Sequence, residues 1–287
     1  MLRFPLPAYS SSSASSARRA SRSTSRHADL AAPWGWAALG ALLGLVLVLV
    51  LFAPARWLAA AVYEGTSGRV QLINASGTVW TGSARLLLAG GAGSRDSAVL
   101  PGQIDWRLRP GWLALNLQLS ADCCTTTPLQ ARLSRTWTGS ALQVSDAVSQ
   151  WPATLLAGLG TPWNTVQAEG SLQLATKSLS VEWFEGRLAV SGNADLTALG
   201  LSSRLSTLKP MGSYRLRLNG NSGASTATLE LSTLEGSLQL TGSGRWIGSR
   251  LRFEGVASAA PEREAALANL LNIIGRRNGA RSIITLG

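Results

Sequence analysis

The side chains able to do chemistry in this 287-residue chain are few and poorly placed for it. There is one histidine, His27, so neither a Ser-His or Cys-His pair near the bulk of the chain nor a histidine metal site can be assembled. Ser206 and Lys209 stand at Ser-x-x-Lys spacing, which on a helix would set an amine beside a hydroxyl. Pro210 follows at once and Gly212 soon after, in strand-rich surroundings that do not supply that helix. GGAGS at 90–94 is glycine-rich like a phosphate loop, but it lacks the lysine such a loop needs and no helix follows it. Cys123 and Cys124 are the only cysteines and are adjacent. They could close a strained vicinal disulfide, pair between molecules or stay as thiols, but two adjacent cysteines do not make a zinc site. EGSLQL occurs twice, at 169–174 and 235–240. Its glutamates could be acid/base groups. The alternative is a turn unit in which Gly supplies a permissive backbone, Glu is solvated, and an apolar strand follows; EGRLAV at 185–190 repeats the pattern, which favours architecture. The expectation is a protein that is not an enzyme, with no catalytic residues, no cofactor, no metal and no small-molecule substrate.

The elements that hold these residues begin with a tail. Residues 1–30 are rich in Ser and Arg, with Arg3, Arg18, Arg19, Arg22 and Arg26 set against Asp29 alone, and hold too few apolar side chains to offset chain entropy. A disordered cytoplasmic tail is expected there. No charged residue occurs from Leu30 to Ala55, a run long enough to cross a hydrocarbon layer of roughly 30 Å. A transmembrane anchor is therefore expected at 31–57, with Trp34, Trp36 and Trp57 at the headgroup levels. The run exceeds a signal-peptide core of about 7–15 residues, although the small residues at 53–55 and 59–61 resemble cleavage sites. The arginine excess before the span places the N-terminus in the cytoplasm and residues 58–287 on the far side of the membrane.

The net charge is +11, of which +4 sits in the short tail and +7 is spread over the long region beyond the span. Beyond the span the arginines are scattered singly over polar strand faces, without the basic stripe and interleaved aromatics of a nucleic-acid site. No nucleic-acid partner is expected. In that region the period is two. Ile104, Trp106 and Leu108 alternate with polar residues, as do Leu113, Leu115, Leu117 and Leu119, and RPGW between them signals a hairpin turn. Similar segments lie at 69–74, 83–90, 129–133 and 141–144. Seven more short strands follow, among them SLQLAT, SLSVEW and RLAVSG as separate units. The fold class expected is mainly β: an antiparallel, repeat-containing domain in two halves, about 58–150 and 164–287, joined by a short helical connector at 151–163. Near the end Pro261, Glu262 and Glu264 suit a helix start and Gly275 its finish, with Leu267, Leu270, Leu271 and Ile274 on one face. That stripe either packs on the sheet, with 281–286 returning as a strand, or docks on a partner.

Three stretches together resemble a known family. They are FAPARWLAAAVYEGTSGRVQLINASGTVWTGSARLLLAGGAGS, then LPGQIDWRLRPGWL, then LANLLNIIGRRNGARSIITL. The chain is similar over this length to protein N of the bacterial type II secretion system. The most specific part is GTVWTGSA, with Gly77, Trp80 and Gly82, followed by IDWRLRP, with Ile104, Trp106, Leu108 and Pro110. The resemblance implies a Gram-negative inner-membrane protein with a periplasmic domain, a structural or assembly role in moving folded proteins across the outer membrane, and other secretion-system components as partners. The Ser/Arg tail is longer than that family's usual N-terminus. Short amphipathic strands after one membrane helix also resemble AsmA-like proteins, for which a continuous apolar trough handling lipid is implied; a filled core favours the scaffold.

The expected topology can be measured directly. A reporter active only in the periplasm, fused after Gly287, should be active and remain with the membranes. An inactive fusion contradicts the orientation, and activity in the soluble periplasmic fraction shows that the span is cleaved.

Overall fold

A computed structural model of the protein describes residues 34–91, 96–135, 137, 139–161, 163–184, 187–220, 227–247 and 250–287. The expected tail at 1–30, the start of the apolar run, the Glu185–Gly186 turn and most of GGAGS lie outside these residues. The chain divides into two compact units, Met1–Leu45 and Val46–Gly287. The described part of the first belongs to helix α1, Trp34–Leu51, Trp34 and Trp36 followed by a run of Leu, Val, Ala and Gly, which buries none of its residues. It is the one described helix long and apolar enough to cross a membrane. Proline 54, extended and unable to donate an N–H, separates it from α2, Ala55–Gly65.

The second unit is built on one antiparallel sheet of sixteen strands. In chain order they are β1 Val70–Gly77, β2 Thr81–Ala89, β3 Ser97–Val99, β4 Ile104–Gly111, β5 Ala114–Ala121, β6 Leu129–Arg135, β7 Gly139–Val144 and β8 Ala147–Pro152. After a 3-10 helix at Ala153–Leu159 and the single turn α3, Trp163–Val166, come β9 Glu169–Phe184, β10 Arg187–Ser202, β11 Gly212–Gly220, β12 Thr228–Gly236, β13 Leu238–Ile247 and β14 Arg250–Ala259. Helix α4, Glu264–Ile274, then leads to β15 Arg276–Asn278 and β16 Arg281–Leu286. The hydrogen-bonded path runs from β1 to β15 in nearly sequential order, with β3 beside β2 and β8 beside β9 as branches.

Strand β9 is the hinge of this topology. The sequence suggests two short strands, because Leu172 and Leu174 alternate on even positions while Leu179, Val181 and Trp183 alternate on odd ones. The structure has one strand of 16 residues that absorbs the change of phase. Ser178, at φ 49, is an extra residue opposite Gly192, at φ 82, so the pairing shifts between Ser180 with Ser191 and Lys177 with Asn193. One inserted residue returns the apolar side chains to the same face, which is what a β-bulge does. The first half of β9 pairs with β8 and its second half with β7, so the two groups of strands share one sheet.

The repeated hexapeptide serves the same purpose twice. Gly170 and Gly236 have φ 135 and 122, and a Cβ on Gly236 would come 2.2 Å from the Cα of Gly212. Two residues on, Leu172 and Leu238 are buried in the same cluster. Glu169 lies half-buried near Arg204 and Lys209, and Glu235 accepts a hydrogen bond from Ser213.

One face of the sheet is apolar, and its cover is concentrated at one end. There the 3-10 helix, α3 and α4 fill the space over Leu172, Tyr214, Leu238 and Ala257. Leu267, Leu270 and Leu271 of α4 are buried against this cluster and Ile274 packs at its margin, while β16 pairs with β14 as a returning strand. Tyr214 lies over Gly212, and its hydroxyl is buried with no hydrogen-bond partner, so burial pushes its pKa up. A second cluster joins Leu100, Ile104, Ala121, Cys124 and Leu155, and a third joins Ala55, Ala84 and Trp106. At the opposite end, on the same face, Leu133, Leu142, Val181 and Leu188 belong to none of the three clusters, and Leu133 is 44% exposed.

Two sets of substitutions check this arrangement. Trp106 is 4% exposed while its neighbour Arg107 is exposed, so Trp106→Ala should lower stability by about 3–5 kcal/mol and Arg107→Ala should leave the thermal midpoint nearly unchanged. Equal effects would place the strand in the other register. Replacing Leu270 and Ile274 together with Ser should reduce thermal stability and cellular abundance. A folded, equally abundant double variant would show that α4 is not part of the core.

Candidate functional site: the tryptophan corner

The family-like motifs converge where α1 gives way to the sheet. The last carbonyls of a helix have no partner inside it. Here Phe52 N–H takes the carbonyl of Val48, and the indole Nε1 of Trp80 donates to that of Val50 at 2.7 Å. The backbone continues the connection: Val79 N–H donates to Ala53 O at 2.8 Å, and Pro54 forms an antiparallel bridge with Thr78. Thus the segment leaving α1 is bonded directly to the turn between β1 and β2.

Trp106, on β4, braces that turn from the other side. Its Nε1 donates to Val79 O at 3.0 Å, and its ring lies on Gly82, where a Cβ would come 2.5 Å from the ring and 2.5 Å from Ser76 O. Gly77 is needed for a different reason: φ is 87, and a Cβ would meet Thr81 O at 2.6 Å. The turn closes on itself through Thr78 N–H to Thr81 O and Thr81 N–H to the Thr78 hydroxyl. Leu108 N–H then donates to Trp80 O. Ile104 and Leu108 flank Trp106 on the apolar face. Pro110 pairs with Leu115 of β5 beyond Arg107, where β4 has no partner in β2, so its missing N–H breaks no ladder. Ala55 and Leu58 of α2 pack beside Trp106.

The other expected site residues are dispersed. Trp34 and Trp36 are exposed on α1, and Trp57 is half exposed on α2. The sulfurs of Cys123 and Cys124 are joined, 1.98 Å apart, in the turn after β5; Cys124 is buried and Cys123 exposed. Ser206 is buried and accepts from Leu208 N–H, whereas the Lys209 ammonium lies 4.0 Å from the Glu169 carboxylate. Among the described residues no group of three or more His, Cys, Asp or Glu could hold a metal ion. The corner can therefore transmit position, since it is made of indole N–H donors, glycine contacts and backbone. Sequence reasoning found its tryptophans and glycines but missed Val50, Ala53 and Val79. Those three act through main-chain carbonyls and N–H, for which side-chain identity carries no signal.

Neither a curated protein nor a solved structure matches the chain. A family profile, type II secretion system (T2SS), protein N, matches residues 68–284, from just before β1 into β16. That span holds both tryptophan motifs, β9 and the helix α4. The chain belongs to the type II secretion system protein N family.

Proposed function

We propose that this protein is an inner-membrane-anchored, periplasmic component of the type II secretion system with a structural or assembly role and no catalytic one. The family match from just before β1 into β16 carries this reading. Helix α1 supplies the anchor, with the N-terminus in the cytoplasm, and the corner at Trp80 and Trp106 fixes the sheet to the segment that leaves the anchor. Its partners are other components of the same system, held by contact rather than turnover. The lipid-trough alternative is not favoured, because the family match is to a secretion component and the apolar face is filled by the chain itself at one end.

Crosslinking in native membranes followed by purification of the tagged full chain tests the proposal. Other type II secretion components should be enriched over a control inner-membrane protein of equal abundance, and deletion should leave folded exoproteins in the periplasm. Absence of these components from the crosslinks, together with unchanged secretion in the deletion strain, would refute it.

A further inference from the structure

Among the described residues, the most exposed apolar side chains of the sheet region, Trp112, Leu113 and Trp137, lie at one end, while Val99, Val148, Leu199 and Leu234 are exposed to a lesser degree elsewhere on it. Strands β4, β6 and β9 all finish there: Trp112 and Leu113 follow β4, Trp137 follows β6, and Trp183 and Phe184 end β9. Trp112 is 95% exposed and Trp137 fully so. The register makes these turns neighbours. Arg135 N–H bonds to Leu113 O, Arg135 pairs with Ser140, and Ser140 pairs with Trp183.

Turn chemistry does not account for these residues. The two-residue connection between β4 and β5 is Trp112-Leu113, where such turns favour Asn, Asp or Gly, and Leu113 is held at φ 63. A bulky side chain in that region is unfavourable, and burial does not compensate, since Leu113 is two-thirds exposed. The apolar residues at these tips therefore serve something outside the chain.

Chain connectivity indicates what. Residues 46–52, the end of the apolar α1 run, lie in the same compact unit as the sheet, and Val50 and Ala53 are bonded to Trp80 and Val79. The β1–β2 turn that receives them is at the same end as the three tips, because Thr81 pairs with Arg107 near the finish of β4. Arg109 and Arg135 stand exposed beside the tips; the acidic residues nearest in sequence to the end of β9 are Glu182, also exposed, and Glu185, which follows Phe184. Tryptophan beside arginine matches a bilayer interface, where the indole settles at headgroup depth and the guanidinium meets anionic phosphates.

We propose that the end of the sheet carrying Trp112, Leu113, Trp137, Trp183 and Phe184 rests in the headgroup layer of the bilayer, as a second lipid contact besides α1. The inference rests on the reading of α1 as a membrane anchor. It makes the apolar end of the sheet a lipid-facing surface and leaves the filled end, with α4 and β15, pointing to the aqueous side.

The test uses the full chain reconstituted into phosphatidylethanolamine and phosphatidylglycerol vesicles that contain a headgroup-depth nitroxide lipid. Trp112→Cys, Trp137→Cys and Ala280→Cys variants are labelled with an environment-sensitive dye, the native cysteines being paired. Ala280 lies in the exposed turn between β15 and β16 at the other end of the sheet. Each variant is first shown to unfold at the parent temperature. Both tip labels should be quenched several-fold more than the label at 280. Equal, weak quenching at all three sites in protein that resists carbonate extraction overturns the lipid contact while leaving the anchor intact, and assigns the tips to another protein. Release of the protein by carbonate overturns the anchor and this proposal with it.

Discussion

One apolar sheet face, with no second sheet among the described residues to cover it, sets the terms for the fold. Every strand must keep its apolar side chains on that face, because a slip of one residue would turn them all to water. The chain keeps phase by inserting bulges where the alternation breaks, at Ser178 in β9 and again where β10 and β12 reach their ends. It covers the face with what lies between strands: the 3-10 helix and α3 after β8, and α4 after β14. This cover is complete at one end only.

The other end is where the chain is tied to its apolar helix. Two indole N–H groups, from Trp80 and Trp106, take carbonyls that would otherwise lack partners near the exit of α1, and two glycines let the backbone and ring approach closely enough to do so. Because these partners are main-chain atoms, the corner holds a fixed relation between the end of α1 and β1–β2, with no side-chain chemistry beyond donors and shape. In this member of a secretion-system family the corner fixes position through indole donors, glycine contacts and backbone.

Much of this was legible in the sequence wherever a periodicity or a special residue carries the physics. The apolar run, the alternation through Ile104, Trp106 and Leu108, the leucine stripe from 267 to 271 and the glycines of EGSLQL each point to a local structure that the chain adopts. Strand β9 was not legible as one element, because a bulge and a turn break the alternation in the same way, and only pairing with β7, β8 and β10 separates them. The corner was half legible. Tryptophan and glycine mark it, but the carbonyls of Val50 and Val79 could belong to any residue. Nor does alternation alone reveal that one end of the face is filled and the other left open, since that depends on where the connecting helices fall in three dimensions.

The continuity of β9 is the central structural claim, because it makes one sheet of strands that would otherwise form two domains. Hydrogen exchange of the full chain, followed across residues 171–184 with increasing denaturant, measures it directly. The account predicts that amides on both sides of Ser178 are protected and open together, apart from those at the bulge. A fast-exchanging gap around 177–180, with the two flanking segments opening at different denaturant concentrations, would show two strands joined by a loop and would contradict it.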